Sequence, residues 1–196
     1  MAYAIIGSGH IGSAIAGHFA RVGIEAVIAN TRGPQSLAKL VAALDGKVKA
    51  VALQEALQAE VIFLAIPFPA LQDFASSGGN FTGKLVIDTT NAHVDLGGRL
   101  SSDLVAKALP GAIVVKAFNQ LSASILASDP SVNGGRRVMF VSSNDEAASA
   151  KVAEVASKLG FAPIQLGRLD GGGRLLQFVG GPLVLHNLIE LLRDAA

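Results

Sequence analysis

Residues 61–66 read Val-Ile-Phe-Leu-Ala-Ile, with no polar side chain at any position. A strand with one wet face alternates polar and apolar residues. A run without alternation has to be covered on both faces, as in a parallel sheet between two layers of helices. Leu85–Ile87 and Ala112–Val115 have the same character, and Ala2–Ile6, Ile24–Ala29, Lys47–Val51, Arg136–Val141 and Ala162–Leu166 complete the set of strand candidates. Between them lie segments of helical period: Ile11–Val22 with Ile11, Ile15 and Phe19 on one face, Gln35–Leu44, and Glu146–Leu159 ended by Gly160. This alternation predicts an α/β, doubly wound, mainly parallel sheet with helices on both faces. The stretch from Gly173 to Arg193 reads as a closing helix interrupted near Gly180 to Pro182. Residues 1–196 are therefore expected to form a single domain, with 172–196 as a short C-terminal helical extension.

Composition narrows the function classes. The chain has 196 residues, 51% hydrophobic and 16% charged, enough to build a core and too apolar for a disordered segment. With no cysteine, a disulfide scaffold, a thiolate metal site and cysteine nucleophile chemistry are excluded. His10, His18 and His186 suggest no metal, and no metal-ligand spacing occurs, so no metal site is expected. The formal net charge is +1, with no basic stripe, so nucleic-acid binding is not expected. The longest apolar runs are broken by Pro67 and Pro69 and by Gly180, Gly181 and Pro182, which argues against a membrane span. The N-terminus has no basic leader, so a soluble cytoplasmic protein is expected.

The strongest motif is Gly7-Ser8-Gly9-His10-Ile11-Gly12, between the first strand and the first helix. In that context the first glycine allows a tight turn and the second lets a dinucleotide pyrophosphate approach the backbone. The third lets helix and strand pack closely, and the phosphates meet free N–H groups at the helix start. The second strand ends in Ala29-Asn30-Thr31-Arg32-Gly33-Pro34. Binders of NAD usually carry an acid here for the ribose 2′-hydroxyl. Asn30, Thr31 and Arg32 supply none, and a guanidinium with hydroxyl help from Thr31 and Ser36 suits a 2′-phosphate, so NADP(H) is favoured.

Three further segments end strands at the same sheet edge. Ala65-Ile66-Pro67 could wall the nicotinamide side. Asp88 to His93, with Asn91 in its middle, offers an acid and an imidazole. Lys116-Ala117-Phe118-Asn119 offers an amine and an amide of the kind that polarise a carbonyl. The ordinary readings of these groups are turn capping and loop hydrogen bonding, and no residue is assigned a catalytic role.

Taken with Gly181-Pro182-Leu183, these motifs in this order resemble the NADPH-dependent reductases of the deazaflavin coenzyme F-420. They are similar also to the NADPH domain of the six-transmembrane ferric reductases. The resemblance covers nearly the whole chain, with His10 departing from the small or amide residues common at its position. It implies a Rossmann domain, often dimeric, with NADPH on the glycine motif, Thr31 and Arg32. A small-molecule redox acceptor (FMN, FAD or a deazaflavin) would lie beside Ala117, Phe118, Asn119 and Leu183. The expected reaction is hydride transfer between NADP(H) and that acceptor. An imine or β-hydroxyacid type dehydrogenase and a non-catalytic NADPH sensor are the competing readings. The tail, including Leu175, Leu176, Phe178, Val179, Leu183, Leu185, Leu188, Leu191 and Leu192, holds more apolar positions than one helix face uses. It is expected to cover the sheet edge or to pair with a second subunit.

Overall fold

The computed structural model describes residues 2–191. Its elements in chain order are β1 (Tyr3–Ile6), α1 (His10–Arg21), β2 (Ala26–Ala29), α2 (Ala38–Ala42), β3 (Val48–Ala50), α3 (Leu53–Ala56), β4 (Val61–Leu64), α4 (Leu71–Ala75), β5 (Leu85–Asp88), α5 (Ser101–Ala108), β6 (Ile113–Ala117), α6 (Ala123–Ala127), β7 (Ser131–Val132), β8 (Gly135–Ser143), α7 (Glu146–Lys158), β9 (Ala162–Gln165) and β10 (Ile189–Leu191). The sheet runs β10-β8-β6-β5-β4-β1-β2-β3. From β3 to β6 every pairing is parallel, and β8 then joins β6 antiparallel. Strand order reverses between β1 and β4, and ligands of such sheets bind in the crevice at the carboxyl ends beside that reversal.

The unbroken apolar run of β4 is explained by its two faces. Val61 and Phe63 point into a core shared with α1 and α7, packing with Ile15, Phe19, Val152 and Phe161. Ile62 and Leu64 point into a second core with Leu71, Phe74, Val105 and Leu109. Ile5 and Ile87 lie on the first face, Ala4, Ile6 and Val86 on the second. Each buried aliphatic side chain of this size contributes about 1.5–3 kcal/mol relative to exposure. Asp145 begins α7, its Oδ1 accepting the Ala148 N–H at 2.8 Å, and Gly160 closes that helix at φ +99°.

Two expectations are corrected. Gln35–Leu44 is not one helix: a 3-10 turn over Pro34–Leu37 precedes the short α2, because the second strand feeds a tight Gly33-Pro34 start. Of the closing helix only the beginning forms among the described residues: a π-helical turn over Leu169–Gly173 runs on through residues 174–175 and stops there. Its glycines and proline take irregular backbone, Gly180 at φ +90° and Leu185 at φ +63°, and the chain ends as β10 antiparallel to β8. Leu192 and Arg193 lie outside the described residues. The side chain of Gln120 fills the gap between β6 and β10 along β8: its Nε2 donates to the Val138 carbonyl at 2.9 Å and its Oε1 accepts the Phe140 N–H at 3.1 Å. No helix among the described residues is long and apolar enough to cross a membrane.

His18 is buried on α1, its ring 5.0 Å edge-on from Phe161. Nε2 meets the Leu126 carbonyl, and Nδ1 faces Arg21 Nη2 at 3.0 Å. Arg21 is itself anchored to the Asp129 carboxylate at 2.7 Å and the Leu159 carbonyl at 2.8 Å. These partners assign the neutral ring with its proton on Nε2. Burial holds its pKa below the ordinary value, the Leu126 carbonyl opposes that, Arg21 reinforces it and Asp129 opposes. The unfolded chain therefore binds a proton near pH 6.5 that the folded chain refuses, and stability is lost as pH falls below that value. The thermal midpoint is expected to drop more steeply between about pH 7.5 and 5.5 in the native chain than in His18→Gln. Parallel profiles would show that His18 is not the group responsible.

Candidate functional site

The glycine turn leaves β1 and enters α1, with Gly7 N–H bonded to the Ala29 carbonyl (2.9 Å) and Ala65 N–H to the Ile6 carbonyl (2.8 Å). It is thereby tied to the ends of both neighbouring strands. The three glycines differ physically. A Cβ on Gly7, which sits at φ +108°, would stand 2.1 Å from the Ala65 carbonyl oxygen. A Cβ on Gly12 would stand 2.0 Å from the Gly7 carbonyl oxygen. A Cβ on Gly9 would meet nothing within 4 Å, and its φ of −72° is open to any residue. Packing requires glycine at 7 and 12. At 9 the protein leaves free space in front of the backbone.

That space adjoins the start of α1, which has no side-chain cap and no acidic residue in its first turn. Its free N–H groups and positive dipole end are uncompensated by protein. Ser8 and His10 flank Gly9, His10 exposed and Ser8 and Ile11 half-buried. Asn30 connects this turn to the end of β2. Its Nδ2 donates to Ser8 Oγ (2.9 Å) and lies 3.0 Å from Ser36 Oγ, while its Oδ1 accepts the Arg32 N–H (2.9 Å). Ser36 Oγ donates to the Gly33 carbonyl at 2.7 Å. Thr31 and Arg32 project into solvent, and Arg32 has no carboxylate partner among the described residues. Ala65 and Ile66 stand half-buried against the turn, and Pro67 begins the 3-10 turn at Phe68–Ala70.

Two strands along, a second group of residues is clasped together. Asn91 Nδ2 donates to the Asn119 carbonyl and Asn119 Nδ2 donates to Asn91 Oδ1, both at 3.0 Å. Asn119 Nδ2 also reaches the Leu176 carbonyl at 2.8 Å, so the C-terminal segment closes over both loops. Asn119 Oδ1 is buried and has no partner, an uncommon state for such an atom. Leu183 is half-buried against the small cluster of Val138, Phe140 and Leu176.

Beneath these loops lies an ion pair that spacing alone did not reveal. Asp88 and Lys116 face each other across the β5–β6 pairing, fully buried, 3.1 Å apart. Asp88 Oδ2 also accepts Ser102 Oγ (2.7 Å), and its Oδ1 accepts the Thr90 N–H (2.9 Å) and Oγ1 (2.7 Å). Lys116 Nζ donates to the Thr90 carbonyl at 2.5 Å. Burial lowers the Lys116 pKa and Asp88 pushes it back up. Both charges are consumed in fixing the 88–91 turn. The amine is therefore not presented to a ligand, and no Asp88–His93 pair exists: His93 is exposed, its ring 4.2 Å from that of Phe178. The Phe118 side chain is likewise corrected. It lies in the core between Phe63 (5.4 Å) and Phe161 (5.8 Å), with backbone at φ +59°, so it cannot stack on a ligand. Ala117 is also fully buried. At this point only backbone and Asn119 remain to meet a ligand. Among the described residues no group of acids and histidines could hold a metal.

Residues 2–92 match the family described as NADP oxidoreductase coenzyme F420-dependent. The chain is 31% identical over 169 residues to the metalloreductase STEAP3 of Rattus norvegicus, covering 84% of this chain and 33% of that protein. It thus spans about a third of the length of this curated relative. A hypothetical protein of Sinorhizobium meliloti superposes with a TM-score of 0.92 at 46% identity, over 97% of this chain and 96% of its own. A provisionally assigned F420-dependent NADP reductase of Arthrobacter sp. FB24 superposes at 0.74 with 27% identity, over 86% of each chain.

The three glycines are separable by substitution. Gly7→Ala and Gly12→Ala are expected to cost more than about 3 kcal/mol in urea unfolding, from backbone overlap and strain. Gly9→Ala should cost about 1 kcal/mol or less. Equal losses at all three positions would contradict the open space at Gly9.

Proposed function

We propose that the chain, which belongs to one family with the Sinorhizobium meliloti protein and whose residues 2–92 match the NADP oxidoreductase model, holds NADP(H) across the carboxyl edge for hydride exchange with a flavin-like or deazaflavin acceptor. The observation that carries this reading is the contrast among the glycines: two filled by the protein's own backbone, one facing unoccupied space at an uncapped helix start. A pyrophosphate fits that chemistry, because it supplies the negative charge and the acceptors that the N–H groups lack.

Arg32 and Thr31 would hold a 2′-phosphate. The Asn30 side chain fixes the Arg32 backbone and the Ser36 hydroxyl in the same turn, and no carboxylate occurs between Ala29 and Leu37 to repel the phosphate. Asn119 Oδ1 would accept a donor from the nicotinamide carboxamide, with Asn91 holding the Asn119 amide in place. Ala65 to Pro67 would wall the ring from the β4 side. When bound, NADPH supplies the hydride. The protein's part is to orient and to exclude water. Asp88 and Lys116 neutralise each other below the edge, which suits a transfer between two rings that needs no side-chain proton. Residues 172–196 complete the same domain in this reading, and a second copy would cover the exposed Leu185, Leu188 and Leu191.

Calorimetric titration with NADPH and NADH tests the cofactor assignment. Native protein should prefer NADPH, Arg32→Ala should lose about 10- to 100-fold of that preference, and Gly9→Ala should weaken both nucleotides. An unchanged ratio in Arg32→Ala would remove Arg32 from the phosphate grip. Stopped-flow loss of reduced-nicotinamide absorbance with FMN, FAD and a deazaflavin tests the reaction. Oxidation with at least one acceptor is expected. Tight NADPH binding without oxidation by any of them would favour a sensing role.

A further inference from the structure

We propose that the cleft between the 95–100 loop and the 174–180 segment receives the anionic tail of the hydride acceptor, which makes that acceptor a planar heteroaromatic ring carrying a phosphate-terminated side chain. This rests on the NADP(H) reading above and adds a subsite to it. The cleft has a volume of about 230 Å³ and is lined by Asp95, Arg99, Arg174, Gln177, Val179 and Gly180, among others. Two guanidinium groups stand in it, each anchored through Nε to a backbone carbonyl: Arg99 to Leu96 at 3.0 Å, Arg174 to Asp170 at 3.0 Å. Arg174 Nη1 also donates to the Gly98 carbonyl at 3.2 Å. Neither arginine pairs with a carboxylate among the described residues.

A guanidinium pinned by carbonyls has already lost its rotamer freedom, and its outer N–H donors remain uncommitted. That is an arrangement suited to an oxyanion. The opposing charge at the cleft is Asp95, whose Oδ1 is engaged by the Gly97 N–H at 2.9 Å. Gln177 contributes no competing acceptor, because its Oε1 is taken by the Ser101 N–H (3.1 Å) and Oγ (3.2 Å).

The location supports an acceptor. Both walls continue directly into the clasp at the carboxyl edge. Gln177 follows Leu176, whose carbonyl binds Asn119, and the Phe178 ring contacts, at a tilt of 54°, that of His93, two residues before Asp95. A flat ring at the edge therefore has the exposed His93 ring and the half-buried Phe178 ring beside it, and its side chain can run between the two walls to the arginines.

FMN and riboflavin share one ring and differ in the phosphate, so together they read the cleft alone. With NADP+-saturated protein, flavin fluorescence quenching should give FMN at least about tenfold tighter binding than riboflavin. Arg99→Ala and Arg174→Ala should each bring FMN toward the riboflavin value, leaving riboflavin and NADP+ affinities unchanged. Asp95→Asn should tighten FMN. If Arg174→Ala unfolds through loss of its carbonyl bonds, Arg99→Ala decides. Equal affinities for FMN and riboflavin with NADP+ bound would overturn the cleft and leave the cofactor reading standing. Failure of NADP+ itself to bind would overturn both.

Discussion

The whole carboxyl edge depends on three backbones in direct contact. Gly7 lies against the Ala65 carbonyl and Gly12 against the Gly7 carbonyl, at separations where no Cβ can intervene. This contact brings α1 down onto the sheet, joins the end of β1 to the end of β4, and points the start of α1 at the crevice where strand order reverses. Once those two positions are filled by backbone, the intervening Gly9 is lifted clear of the protein. The free space there is a consequence of the packing on either side of it. The open space at Gly9 and the tightly packed turn are two aspects of one constraint.

The Asp88–Lys116 pair does for the other half of the edge what the glycines do for the first. Burying two charges is costly, and their attraction offsets the cost only when the remaining donors and acceptors are satisfied. Asp88 meets that condition with Thr90 and Ser102, and Lys116 with the Thr90 carbonyl. The result is a rigid turn that carries Asn91 to Asn119. Removing one partner would leave a bare charge in the interior and would release the clasp. The pair therefore acts on the site from below, as support.

The sheet was legible because a run such as Val61–Ile66 admits few environments, and the observed split of its side chains between two cores is what an unalternating strand requires. The glycine turn was legible for a similar reason: spacing and context together leave little else for it to be. What was not legible depends on long-range pairing. Asp88 and Lys116 are 28 residues apart, and only the β5–β6 register shows that they meet each other, so that Asp88 has no tie to His93 and Lys116 none to an open pocket. Phe118 looked available at a strand end, but its left-handed backbone turns the ring into the core. The tail held apolar residues at roughly helical density. Gly180, Pro182 and the free edge of β8 decided for an irregular strap ending in a strand.

The central claim is that the space at Gly9 cradles a pyrophosphate while Arg32 reads the phosphate that distinguishes NADP from NAD. Backbone amide shift mapping by nuclear magnetic resonance, with NADP+ and NAD+ titrated in parallel, tests it at residue level. The account predicts the largest shifts at Gly9, His10 and Ile11 with both nucleotides, and a shift at Arg32 with NADP+ alone. Shifts confined to residues away from the glycine turn, or identical responses of Arg32 to the two nucleotides, would contradict it.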